Sequence, residues 1–136
     1  MVAAVAHLVI LGHTAIAHVT GPDDLSMTHV RRAFAALMER RSPTAVIAGN
    51  DMIAIGCYAA LRGRGLNCPS DVSVVGFNDM PLSGFLDPPL TTVAIPQYDI
   101  GAAAAEMVLR RIGGHDQPEH RLLPTELMGR GSTAAH

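Results

Sequence analysis

PTAVIAGNDMIAIGCYAALRGRGLNCPSDVSVVGFNDMP, residues 43–81, is the stretch whose reading decides the fold. Residues 44–49 (TAVIAG) form a short continuous apolar run, the pattern of a strand covered on both faces. Asn50 and Asp51 then open an apolar helix over residues 52–62, because side-chain oxygens at that place accept from the free amides of a first turn. Gly63 and Gly65 stop the helix, and residues 71–77 (DVSVVGF) read as a second buried strand. Strand, helix and strand in this order make a crossover that sets the two strands parallel.

The pattern continues on both sides. Residues 78–89 form a Pro-rich loop, and residues 90–95 (LTTVAI) a third buried strand. A helix over residues 99–112 follows, with Ile100, Ala104, Met107 and Val108 on one stripe. Arg110 and Arg111 stand at the negative end of its dipole. Residues 120–127 read as a last strand. Toward the amino terminus, Pro43 ends a helix over residues 26–41 in which Val30, Phe34, Leu37 and Met38 recur at helical spacing. Residues 14–20 alternate as a strand and lead into the turn at Gly21 and Pro22. Residues 3–11 form a helix with Ala4, Leu8 and Leu11 on one side, closed by Gly12. The alternation predicts the α/β class: a three-layer open parallel sheet with helices on both faces.

With 136 residues the chain has the length of a single domain. A hydrophobic fraction of 49% against 16% charged residues excludes a disordered chain. All ten basic residues are Arg, against twelve acidic residues, for a net charge of -2. The densest basic clusters are the pairs Arg31-Arg32, Arg40-Arg41 and Arg110-Arg111, too sparse for direct nucleic-acid contact by this chain. Without Lys there is no Schiff-base chemistry. Cys57 and Cys68 form no CxxC and read as small core residues of a protein from a reducing compartment. Residues 1–22 carry no Asp, Glu, Lys or Arg. His7, His13 and His18, with Gly12 and Thr14, nonetheless interrupt the apolar run, and no basic region precedes it. The expectation is a cytoplasmic protein with no membrane partner.

In parallel sheets ligands gather outside the carboxyl ends of the strands, and there the sequence turns polar. Gly21, Asp23, Asp24 and, further on, Arg31 follow the first strand; Asn50 and Asp51 follow residues 44–49; Asn78 and Asp79 follow residues 71–77. Amides suit hydroxyl groups, and an Arg fork suits a carboxylate, a phosphate or vicinal hydroxyls. The same Asn and Asp residues also serve as caps of helices and turns. No GxSxG, Gly-rich phosphate loop or HExxH occurs, and the histidines fall on different elements. No catalytic residue, metal or cofactor is expected.

Four blocks, in order, carry a family resemblance: AHLVILGHTAIAHVTGP (6–22), residues 43–81 quoted above, LDPPLTTVAIPQYDIGAAAAEMVLRRI (86–112) and LLPTELMGRGST (122–133). Together they resemble the effector-sensing domain of LacI-type transcriptional regulators, whose fold is that of periplasmic sugar-binding proteins. The resemblance implies a non-enzymatic sensor domain for a small effector, a sugar or a nucleoside-like molecule, that controls DNA binding of the intact regulator. Asn50 resembles the family's ligand-contacting Asn, and Asn78 an effector-contacting position that is often Asp, with Asp51 and Asp79 as supporting polar groups. Ile95 stands where a polar Gln is common.

Measured against the family, residues 1–136 look like a single truncated domain, the carboxyl-terminal lobe. The helix-turn-helix, the hinge helix and most of the first sensor subdomain have no counterpart. Between residue 22 and Pro43 a strand, a helix and loops are also missing, so one edge strand of the sheet is expected to be absent, and with it the strand-order reversal that makes a crevice. Arg31 stands for the family's effector-contacting Arg, unless residues 33–41 are the helix that normally precedes PTAVIAG, in which case that Arg is gone. Ile55, Tyr58 and Leu86 lie where family members pair subunits, or else belong to the core. They carry the alternative reading of a dimerisation remnant with no effector site, pairing as a homodimer or with a related regulator. A hydrolase built on Asp51, Asp79 and a histidine is a further alternative.

Overall fold

The computed structural model describes residues 1–21, 27–114 and 117–136; the side chains of residues 27–29, Arg31 and Arg40 lie outside the description. The chain runs α1 (Val2–Ile10), β1 (Ile16–Val19), α2 (Met27–Arg40), β2 (Ala45–Ala48), α3 (Asp51–Arg62) and β3 (Ser73–Asn78). A short 3-10 turn (Pro81–Phe85), β4 (Thr91–Ala94), α4 (Gln97–Ile112) and β5 (Glu126–Met128) complete it. The strands lie side by side in the order β1-β2-β3-β4-β5, without a reversal. Neighbours from β1 to β4 are parallel.

Side-chain alternation sorts the sheet into two faces. Ala45 and Ile47 of β2, Val75 of β3 and Val93 of β4 pack with Ala4 and Leu8 of α1 on one face. Val46, Ala48 and Val74 pack on the other with Val30 and Phe34 of α2 and Ile53, Cys57 and Leu61 of α3. The unbroken apolar runs are thus strands buried from both sides, as the α/β reading requires. Each fully buried Val or Leu contributes about 1.5–3 kcal/mol relative to exposure.

Two elements depart from the sequence reading. The last strand was expected over residues 120–127 of a parallel sheet, but β5 is confined to Glu126–Met128 and pairs with β4 antiparallel. Between α4 and β5 the chain runs through residues 113–125, in which no helix or strand is described, and it enters the sheet with β5 opposite in direction to β4. The second departure is α4, which packs on neither face of the sheet: of its sixteen residues only Ala103 is buried. Tyr98 and Ile112 are 87% and 77% exposed.

Candidate functional site

The carboxyl edge of the sheet brings the expected polar residues together. Ile47 of β2 sits beside Val75 of β3, and continuing that register past the ladder sets Asn50 level with Asn78. Adjacent strands lie about 4.8 Å apart. Asn50 is the amino-terminal cap of α3, its Oδ1 accepting from the Ile53 amide at 2.8 Å. Among the described residues its NH2 group donates to nothing. Asn78 ends β3 with φ at 108°, and Asp79 follows at 54°, two consecutive residues in the region that favours glycine and tolerates Asn and Asp. The Asn78 side chain has no hydrogen-bond partner among the described residues and is partly exposed.

Asp51 holds this edge in place. It is 1% exposed. Its Oδ2 accepts from the Met80 amide at 2.7 Å and from Ser83 Oγ at 2.8 Å, while Oδ1 accepts from Thr92 Oγ1 at 2.6 Å. One carboxylate therefore ties the start of α3 to the turn after Asp79 and to β4. The glycine at 76 makes this approach feasible, because a Cβ there would overlap Asp51 Oδ1 and Leu90 Cδ2. Arg130 holds Asp79 from the other side: the guanidinium pairs with Asp79 Oδ1 at 2.7 Å and donates to the Leu90 carbonyl at 2.8 Å. The Arg130 amide in turn donates to Thr91 Oγ1 at 2.9 Å.

The sequence-predicted residues thus divide. Asn50 and Asn78 share the sheet edge and keep polar groups in reserve. Asp51 and Asp79 are spent on holding the loop that presents Asn78. Arg31 belongs to α2, but its side chain lies outside the described residues, as do Asp23 and Asp24 entirely. Tyr58 is buried, with its hydroxyl donating to the Pro88 carbonyl at 3.1 Å, and Ile55 and Leu86 are partly exposed. Arg130, Ser83 and Thr92 escaped the sequence reading. Arg130 sits in the GRGST stretch that carries the resemblance, but nothing local marks it as the partner of a residue so distant in the chain.

Asn amides present both donors and acceptors to hydroxyl groups. Among the described residues no histidine bonds to Asp51 or Asp79, and no group of three or more His, Cys, Asp or Glu is arranged to hold a metal ion. Burial pushes the thiols of Cys57 and Cys68 up to about 12 and about 11, away from the nucleophilic thiolate. No helix among the described residues is long and apolar enough to cross a membrane.

The family model that matches residues 33–133 of this mostly parallel α/β lobe is that of a periplasmic binding protein-like domain. The chain belongs to this family, in the branch of the LacI-type transcriptional regulators. It is similar to the lactose operon repressor of Rhizobium radiobacter, 46% identical over 90 residues that make up 66% of this chain and 80% of that one. It is also similar to the HTH-type transcriptional regulator MalR of Streptomyces coelicolor, 39% identical over 168 residues that cover 97% of this chain and 48% of MalR. That aligned stretch is longer than this chain, so MalR has residues with no counterpart here. Among solved structures, a LacI family transcriptional regulator from Enterococcus faecium with bound ribose superposes with a TM-score of 0.85 at 26% identity. The match covers 98% of this chain and 62% of that one. The chain thus spans about half the length of MalR and under two thirds of the ribose-bound regulator.

Proposed function

We propose that this domain senses a small polyhydroxylated effector, a sugar or nucleoside-like molecule, through Asn50 and Asn78, and that it acts as the ligand-responsive part of a LacI-type regulator rather than as an enzyme. The observation that carries this reading is the free NH2 group of Asn50 and the free side-chain amide of Asn78, unpaired among the described residues at one height of the sheet's carboxyl edge and held by a fully satisfied network on Asp51. Polar groups left unpaired at a surface exchange water for ligand hydroxyls at small cost, whereas a spent network provides rigidity. The ribose in the Enterococcus relative supports the ligand class.

Thermal unfolding with ribose and with lactose tests the reading. A ligand that binds only the folded state stabilises it by about 2.7 kcal/mol at roughly a hundredfold excess over Kd. The expected result is a rise in Tm with at least one sugar that disappears in Asn50→Ala and in Asn78→Ala. A rise of the same size in both variants would move the site elsewhere.

A further inference from the structure

The opposite, amino-terminal edge of the sheet holds a second polar cluster, built around His13 in the α1–β1 connection. His13 is 4% exposed. Its Nε2 faces the Ala134 carbonyl at 3.0 Å and Ser73 Oγ at 3.1 Å, so Nε2 carries the hydrogen. Nδ1 then accepts from Thr44 Oγ1 at 2.9 Å. Residues 133–136 are pinned across this edge. Ala134 donates its amide to Ser73 Oγ at 3.1 Å, His136 donates its amide to the Leu11 carbonyl at 2.9 Å, and His7 Nε2 meets Thr133 Oγ1 at 2.9 Å. The imidazole of His136 stacks on that of His13, centroids 5.3 Å apart and planes within 6°. Gly12, at φ 91°, admits the tail: a Cβ there would overlap the His136 carbonyl oxygen.

We propose that His13 is a pH-sensitive latch, which closes residues 133–136 onto the amino-terminal edge of the sheet when neutral and releases them when protonated, while the buried Ser132, bound to Val74 and Thr91, anchors the segment in both states. The second proton goes to Nδ1, where the Thr44 hydroxyl now points its hydrogen. That hydroxyl has to rotate, and a positive ring is left buried and stacked on a second imidazole. The ionisable groups whose charge reaches His13 are His136 on the tail and His7 on α1; β2 and β3 contribute the neutral Thr44 and Ser73. Among the described residues no carboxylate pairs with it. Burial holds the His13 imidazole below its ordinary value of 6.5, the bond to Ala134 opposes this, and the charges of His136 and His7 add to it. The folded form therefore binds fewer protons than the open chain. The latch is at full strength above about pH 6.5 and weakens as pH falls from there through the folded value.

Amide hydrogen exchange on the full chain, expressed as protection factors at pH 7.5 and pH 5.0, tests the proposal. Ala134 and His136 should lose protection at the lower pH, by up to about thirtyfold for a group of ordinary value 6.5 read at pH 5.0, while Val75 in the β2–β3 ladder keeps its own. In His13→Asn the difference between the two pH values should vanish. Unchanged protection in the wild type, or a pH response that survives in His13→Asn, overturns the latch. Where that variant does not fold, the wild type decides: the imidazole nitrogens of His13 must titrate below pH 6.5, and protection at Ala134 must fall in the interval between pH 6.5 and that midpoint; a loss of protection outside this interval contradicts the proposal.

Discussion

The two edges of the sheet hold polar clusters of similar make-up and opposite character. At the amino edge His13, Thr44, Ser73 and the amide of Ala134 bind one another. At the carboxyl edge Asp51 is equally spent, but it supports Asn50 and Asn78, whose amides keep hydrogen-bonding groups unused. A polar cluster therefore acquires a binding role not from its residue types but from the groups left over after the fold is satisfied.

Removing the carboxylate of Asp51 is expected to break this comparison most severely. Asp51→Ala strands the Met80 amide and the hydroxyls of Ser83 and Thr92, at about 1–3 kcal/mol for each buried group left without a partner. Partial relaxation brings the expected loss in urea unfolding to about 3–5 kcal/mol, together with sugar binding. A loss under about 1 kcal/mol would show that the turn at Asn78 does not depend on Asp51. At the other edge, Ser73→Ala removes one bond to His13 and one from Ala134. It should cost about 1–3 kcal/mol in the same measurement and leave the sugar response intact, which separates the two clusters.

The amides themselves sharpen the contrast. Asn50→Ala gives up a helix cap and should lose about 1 kcal/mol, whereas Asn78→Ala, with no side-chain bond to lose among the described residues, puts a residue that tolerates positive φ poorly at φ 108° and should lose about 1–2 kcal/mol through the backbone alone. Both should abolish the Tm rise with sugar. The smallest effect belongs to α4: Leu109→Glu on its exposed face should change the unfolding free energy by no more than about 0.5 kcal/mol, while Leu61→Ala in α3 should cost about 2–5 kcal/mol.

That last pair also marks the limit of the sequence reading. Period and breakers place both helices, and α3 and α4 carry similar apolar stripes. Eight residues of α3 are buried and one of α4, because burial depends on what lies opposite and no local pattern encodes it. The strands β2 to β4 were legible as apolar runs and β1 as an alternating stretch; the direction of β5 was not, since it follows from the path of the chain after α4. At the site, Asn50 and Asn78 were legible because parallel strands put the residues after them at one edge. The Asp79–Arg130 pair and the bonds of Asp51 to Ser83 and Thr92 were hidden, since nothing in the sequence links residues far apart in the chain. His13 was read only as one of several scattered histidines, for the same reason.

The central claim is that Asn50 and Asn78 together hold the effector. The chain has a third Asn, Asn67, whose backbone N–H donates to Asp71 in a turn away from this edge, and its side chain serves as an internal control. The most direct measurement is NMR of the three side-chain NH2 groups during titration with ribose and lactose. The account predicts that the Asn50 and Asn78 signals shift together along one binding curve while that of Asn67 stays in place. Signals of Asn50 and Asn78 that stay fixed while the protein binds sugar, or that respond to neither sugar, would contradict it.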